Sequence, residues 1–226
     1  MRVEHHDGQA AFLEALSALL AVCDTLDDTK MLAASRCHGW TVGDVIAHVH
    51  LGLQEMLLGL VSPTDATPDT DAASYWQGRL PGRETETERI GQIQYVRRLA
   101  SAYRRPTGLL GHLRPTSDAV SRMVTALPPN TVRFQGKVLT SGDFLATWAV
   151  EVAVHHLDLK HELTLPPPAP TALKLARGTV ESLAGAPILP ALDDEVIVLA
   201  GTGRVPLTEF QRRTAGRFAA RLPVFG

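Results

Sequence analysis

One helix-length stretch, residues 141–163, limits what this chain can become. Phe144, Trp148, Glu151, His155 and Leu159 recur there at spacings of 4, 3, 4 and 4. At about 100° per residue these positions fall within a sector of about 80°. The stretch is predicted as a helix whose core-facing side carries two aromatics, a carboxylate and an imidazole. A carboxylate turned toward a core is costly unless it is paired or bound to a metal. The spacing of four puts Glu151 and His155 one turn apart on one face, where two side chains can share an ion. The same spacing also suits a simple hydrogen-bonded pair.

A second helix is predicted over 41–61. Thr41 is its N-cap, and Asp44 three residues on makes a variant of the capping box. Val42, Val45, Val49, Leu53, Met56 and Leu60 form its apolar stripe. His48 lies on the shoulder of that stripe, near Gly52, which leaves space beside an inward imidazole. A lone helical histidine is commonly a satisfied core or surface residue. Joined to Glu151 and His155, however, His48 completes a set of two nitrogens and one oxygen. That set suits Zn²⁺, Ni²⁺ or Fe²⁺ better than Mg²⁺ or Ca²⁺. Three protein ligands leave positions open, as catalytic sites do. Asp44 and Glu55 lie near the azimuth of His48, so either is a candidate substitute or outer ligand. His50, His156 and His161 fall on other faces.

Around these two helices the pattern is mainly α. A helix is predicted over 8–26, with Phe12, Leu13, Leu16, Leu19, Leu20 and Cys23 at helical spacing. Others are predicted over 84–104 and 107–126, the latter ended by Pro128-Pro129. Residues 131–139 alternate weakly and suggest a short extended piece. Residues 62–83, with Pro63, Pro68 and Pro81, read as a long loop of the kind that often carries function. The run Pro166-Pro167-Pro168-Ala169-Pro170 cannot be helix interior, because proline lacks the N–H donor. It divides a main body, 1–165, from an appendix, 171–226. The appendix reads as a helix (171–185), a strand (195–200), a Gly-rich turn (201–204) and a last helix (207–222), a small α/β subdomain.

Composition narrows the function classes. A chain of 226 residues can bury a full core without a disulfide or metal to staple it. A net charge of −2 with scattered basic residues gives no field for nucleic acid or anionic membrane. Two cysteines, Cys23 and Cys37, fit a reducing compartment. Cys37 reads as a buried or loop cysteine rather than a nucleophile. The first residues lack the pattern of a signal peptide, and no apolar run is long enough to span a membrane. The expectation is a cytoplasmic protein, monomer or homodimer. Gly201-Thr202-Gly203 lacks the third glycine and the βαβ context of a dinucleotide fingerprint. Trp40 and Trp148 read as core packing.

Two segments also resemble a known family. Residues 37–49, Cys-His-Gly-Trp-Thr-Val-Gly-Asp-Val-Ile-Ala-His-Val, resemble the C-P-G-W-T-V-x-D-L-x-A-H-L segment of mycothiol-dependent maleylpyruvate isomerases. Residues 148–159 resemble that family's E-x-x-x-H-x-x-D-L helix. The family sits within the DinB-like superfamily of metal-binding four-helix bundles. The resemblance covers roughly 8–165, and His38 departs from the usual proline. It implies a DinB-like bundle with a divalent metal, zinc foremost, on His48, Glu151 and His155. It also implies mycothiol as thiol cofactor or co-substrate and a small electrophile as substrate. Ala200-Gly201-Thr202-Gly203-Arg204 resembles a C-terminal G-R segment of the family, which makes Arg204 a candidate catalytic residue able to grip a substrate carboxylate. The chemistry implied is isomerase or S-transferase. A hydrolase using metal-activated water, or a non-catalytic small-molecule binder, are the competing readings.

Overall fold

Four helices close in a ring: α1 (His5–Cys23), α3 (Val42–Leu60), α5 (Leu110–Ala126) and α6 (Ser141–Leu159). Each packs on two others, in the cyclic order α1, α6, α3, α5. The computed structural model describes residues 1–79, 85–185 and 192–226. A one-turn helix, α2 (Asp28–Met31), joins α1 to the loop before α3. The mainly helical bundle expected from the sequence is what forms. Its apolar faces pool into one core that includes Phe12, Leu16, Leu19, Ile46, Leu53, Met56 and Phe144.

The helix expected over 84–104 forms as α4 (Glu86–Ala100), with Glu84 outside the described residues. It lies outside the ring against α3, and Val96 is its one buried residue. With so little apolar surface, a bundle position would leave charged groups unsolvated. The weak alternation over 131–139 becomes a hairpin of β1 (Thr131–Phe134) and β2 (Lys137–Thr140), antiparallel with Thr131 opposite Thr140. Its two-residue turn places both Gln135 (φ 48°) and Gly136 (φ 74°) in the left-handed region, as a type I′ turn requires. Thr140, the last strand residue, caps α6 by accepting from the Asp143 amide. The hairpin therefore delivers α6 directly.

The described part of the 62–83 loop is laced along that hairpin. Pro63 bridges Val132, and the amides of Asp69 and Thr70 both donate to the Val138 carbonyl. Residues 80–83 of that expected loop lie outside the described residues. The lacing carries a 3₁₀ turn, Ser74–Trp76, to the mouth of the bundle.

After the proline run come α7 (Pro170–Ala184), α8 (Asp194–Gly201) and α9 (Glu209–Ala215), the last followed by a 3₁₀ turn. The strand expected over 195–200 is thus corrected: those residues are helix α8, and among the described residues the strands are β1 and β2, both before the proline run. Ile197 and Val198 are fully buried and Leu199 and Ala200 nearly so. An apolar run buried on all sides shows neither a period of two nor of 3.6. The final helix expected over 207–222 is likewise shorter, split between α9 and the 3₁₀ turn Gly216–Arg221. α7 packs on α6 and α1, and α8 packs on α7 and α6, so this segment backs the helix that carries Glu151 and His155.

Candidate metal centre

α3 and α6 meet so that their polar inward residues converge. The start of α3 is fixed by the capping box foreseen in the sequence: Thr41 Oγ1 accepts from the Asp44 amide, and Asp44 accepts from the Thr41 amide at 2.8 Å. Two turns on, His48 Nε2 donates to Glu151 Oε1 at 3.3 Å. From the next turn of α6, His155 Nε2 reaches the same oxygen at 3.2 Å. The rings of His48 and His155 stand edge to face, centroids 4.8 Å apart. One donor atom from each of the three residues lies within 4.8 Å of the others.

The protonation pattern follows from that crowding. Burial pushes the Glu151 carboxyl up, but His155 and then His48 more than offset it, and its pKa falls well below the usual carboxylate range. Burial pushes His155 down, yet Glu151, Asp158 and Cys37 raise it well above an ordinary histidine. An incoming cation would take the place of the proton held between these groups. The donor chemistry fits a divalent metal: two imidazole nitrogens and a carboxylate oxygen, with the oxygen already 3.2–3.3 Å from both nitrogens.

His155 is gripped from behind as well. Its Nδ1 donates to Asp158 Oδ2 at 2.9 Å. Asp158 is wholly buried and also accepts from Cys37 Sγ at 3.1 Å and from Arg204 Nε at 3.3 Å. Burial raises the Asp158 carboxyl, but Arg204 and His155 bring it down to about 2. Cys37, His155 and Asp158 form a second cluster of possible metal donors. The Arg204 guanidinium already sits on both oxygens of Asp158 (3.3 and 3.4 Å), so a dication there would meet a cation. Burial pushes the Cys37 thiol up, which keeps it a neutral donor and not a nucleophile.

A cleft of about 190 Å³ opens over His48 and Glu151, lined also by Gly52, Trp148, Tyr75 and Arg79 among others, with His155 buried behind it. Sequence reasoning missed Tyr75, Trp76 and Arg79. Arg79 lies over the rings of both Tyr75 and Trp76, and donates to Gln135 Oε1 at 2.6 Å. Gln135 in turn donates to Glu55 at 2.9 Å. The only advance signal was an aromatic pair and an arginine within a long loop. A larger cavity of about 650 Å³, lined by Cys37, Trp40, Arg97 and Arg204, does not include the triad.

Other expectations resolve differently. The space at Gly52 is taken by the Trp148 indole, since a Cβ there would lie 3.0 Å from Trp148 Cζ3. Asp44 is spent on its cap and Glu55 on Gln135, so neither joins the triad. Arg204 does not line the cleft with His48; its guanidinium is turned to Asp158. His50 bonds Thr116, and His156 donates to the Pro166 carbonyl. Trp148 is core, as expected, whereas Trp40 is half-buried against His48, ring centroids 5.1 Å apart.

The family model described as "Mycothiol maleylpyruvate isomerase N-terminal domain" matches residues 12–160. No curated protein sequence matches the chain. Among solved structures, the crystal structure of the mycothiol-dependent maleylpyruvate isomerase is similar at 16% identity, covering 90% of each chain with a TM-score of 0.59. The structure of a histidine-to-alanine mutant of that enzyme gives 15%, 90% of each chain and 0.59. At such identity the likeness is one of fold, a mainly helical bundle.

Proposed function

We infer the activity of this chain from its family, for it belongs to the mycothiol maleylpyruvate isomerase N-terminal domain family. The reading is a mycothiol-dependent enzyme, isomerase or S-transferase, that joins the thiol to a small electrophile. The observation that carries it is the meeting of His48, Glu151 and His155, the first two of them lining an open cleft.

In this reading the three side chains hold one divalent ion, zinc by preference, which when bound lowers the pKa of a thiol enough to yield thiolate near neutral pH. Glu151 brings a single negative charge against the two positive charges of such an ion. The site therefore keeps a net preference for an anion. The walls do the rest. Trp148, Trp76 and Tyr75 give the cleft an aromatic wall against which an electrophile would pack. A volume of about 190 Å³ holds a small reacting group, not a whole sugar-linked thiol. In an isomerase the sulfur adds to a conjugated double bond, the former double bond rotates, and the sulfur leaves. In an S-transferase it displaces a leaving group, or opens a ring whose heteroatom takes up a proton, and stays attached.

Arg79 gives the cleft its selectivity. Among the described residues its guanidinium bonds neutral groups, Tyr75 Oη and Gln135 Oε1. An anionic end on the electrophile would find a guanidinium donor there. Arg79→Met is expected to lower kcat/KM for an anionic electrophile by about 10- to 100-fold, the worth of one charge-assisted hydrogen bond. Steady-state kinetics on a carboxylate-bearing electrophile and its methyl ester check this, since the ester should be spared.

The test of the whole reading is elemental analysis of the purified protein, followed by assay of maleylpyruvate and model electrophiles with and without mycothiol. A divalent ion in the protein, turnover only with the thiol, and loss of turnover on chelation are expected. Turnover that ignores the thiol would point to a hydrolase. Tight binding without product would make the bundle a carrier.

A further inference from the structure

We propose that Arg204 is a positioning residue for the metal centre: acting through Asp158, it locks the His155 ring so that Nε2 faces Glu151 and His48. The proposal rests on the metal reading above and gives Arg204 a different task from gripping substrate.

The geometry is a chain of three side chains from two parts of the sequence. His155 is held at both ring nitrogens, Nδ1 on Asp158 Oδ2 at 2.9 Å and Nε2 on Glu151 Oε1 at 3.2 Å. With Nδ1–H committed to a carboxylate, Nε2 is the ring nitrogen left to take a metal, on the side of Glu151 and His48. That arrangement needs an ionised Asp158. Its side chain is 0% exposed, and a carboxylate so buried stays charged only when matched by donors and a countercharge. Cys37 supplies a neutral donor. Arg204 is the permanent cation in contact, with Nε 3.3 Å from Oδ1 and Nη2 3.4 Å from Oδ2.

Arg204 is itself braced. Its amide donates to the Leu199 carbonyl at 2.8 Å, at the end of α8, and Nη1 donates to the Thr202 carbonyl at 3.0 Å. Only 14% of its side chain is exposed. α8 packs on α7 and α6, so the segment after the proline run presents a fixed guanidinium to the back of the bundle. Arg204 lines the larger cavity beside Cys37 and Trp40 and not the cleft at His48 and Glu151, while its guanidinium is spent on the buried Asp158 behind His155.

The test uses the full chain and zinc alone. Zinc affinity is measured by competition with a chromophoric chelator for wild type, Arg204→Met, Asp158→Asn and the double variant. Cobalt is then substituted to read the ligand field by visible absorption. Loss of an outer partner of a ligating histidine typically weakens metal binding by about 10- to 100-fold, and each single variant is expected to fall in that range. The double variant should be little worse than either single one, because both break the same chain. The cobalt spectrum should shift in both.

Unchanged zinc affinity in folded Arg204→Met, with only KM for the electrophile raised, would overturn the proposal in favour of a substrate-binding arginine. Fully additive losses in the double variant would overturn it too. Should Arg204→Met not fold, Asp158→Asn carries the test, and wild-type zinc affinity and cobalt spectrum there sink it. A wild-type protein that binds no zinc at all condemns the metal reading instead, so the two failures are distinct.

Discussion

Replacing His155 with alanine is expected to remove the metal and the thiol chemistry together. His155 is 5% exposed and belongs to both clusters of possible donors, bonded to Glu151 on one side and Asp158 on the other. Loss of an outer partner alone costs about 10- to 100-fold in metal affinity, so loss of a ligand should exceed about 100-fold. At micromolar zinc the variant should carry little ion, and thiol-dependent turnover should fall to background. A second effect comes from what the ring leaves behind. Asp158 keeps Cys37 and Arg204 but loses its shortest contact, and Glu151 loses its strongest positive neighbour. A hydrogen bond lost from a charged group costs about 1.5–3 kcal/mol, which should appear as a lower midpoint in denaturant for the metal-free protein. Glu151→Gln separates the two effects, for it keeps the shape and removes the charge. Competition titration and elemental analysis check the first effect, chemical unfolding the second. Full zinc loading in His155→Ala would refute the proposed ligand set.

The residues of this site were legible in the sequence because they sit on helices with a clear period. Glu151 and His155 show as polar breaks in the inward sector of α6, and His48 as the same on α3. What surrounds them was less legible, for definite physical reasons. Asp158 stands three residues beyond His155, in plain view, but its role depends on Arg204, which is 46 positions away. No spacing rule links a helix to a turn in another part of the chain. Arg79, Tyr75 and Trp76 reach the cleft through lacing of the 62–79 segment onto the hairpin, a matter of backbone hydrogen bonds and not of side-chain pattern. The misread strand at 195–200 had a helix-start signal, since Asp193, Asp194 and Glu195 precede Val-Ile-Val-Leu. The β-branched run outweighed it because burial on every side erases the period. α4 shows the opposite case. Its capping box on Thr85 and Glu88 is strong, so its helix was readable, but its polar faces gave no partner to predict.

Phe144→Ala is expected to lower the stability of this protein by about 3–5 kcal/mol, the range for a large aromatic removed from a packed core. For a chain of this size, that corresponds to a fall in Tm of roughly 6–20 °C. The upper half of the range is favoured by what faces the ring. Phe144 is 0% exposed and seats its tip on Gly59 of α3, where a Cβ would lie 2.5 Å from Cζ. A glycine has no side chain to swing into the space, so the hole cannot be filled from that side. Phe134 and Trp148, with ring centroids 5.3 and 6.4 Å from Phe144, are themselves held by the hairpin and by Gly52. The same seam between α3 and α6 sets the spacing of His48 from Glu151. At about 1.5 Å rise per residue, Glu151 lies about 10 Å along the helix from Phe144. The variant should therefore keep its zinc affinity at temperatures where it is folded and lose it sharply as it unfolds. Calorimetry paired with zinc titration at two temperatures tests this. A stability change below about 1 kcal/mol would mean that the Phe144–Gly59 seam is not what holds α3 and α6 together.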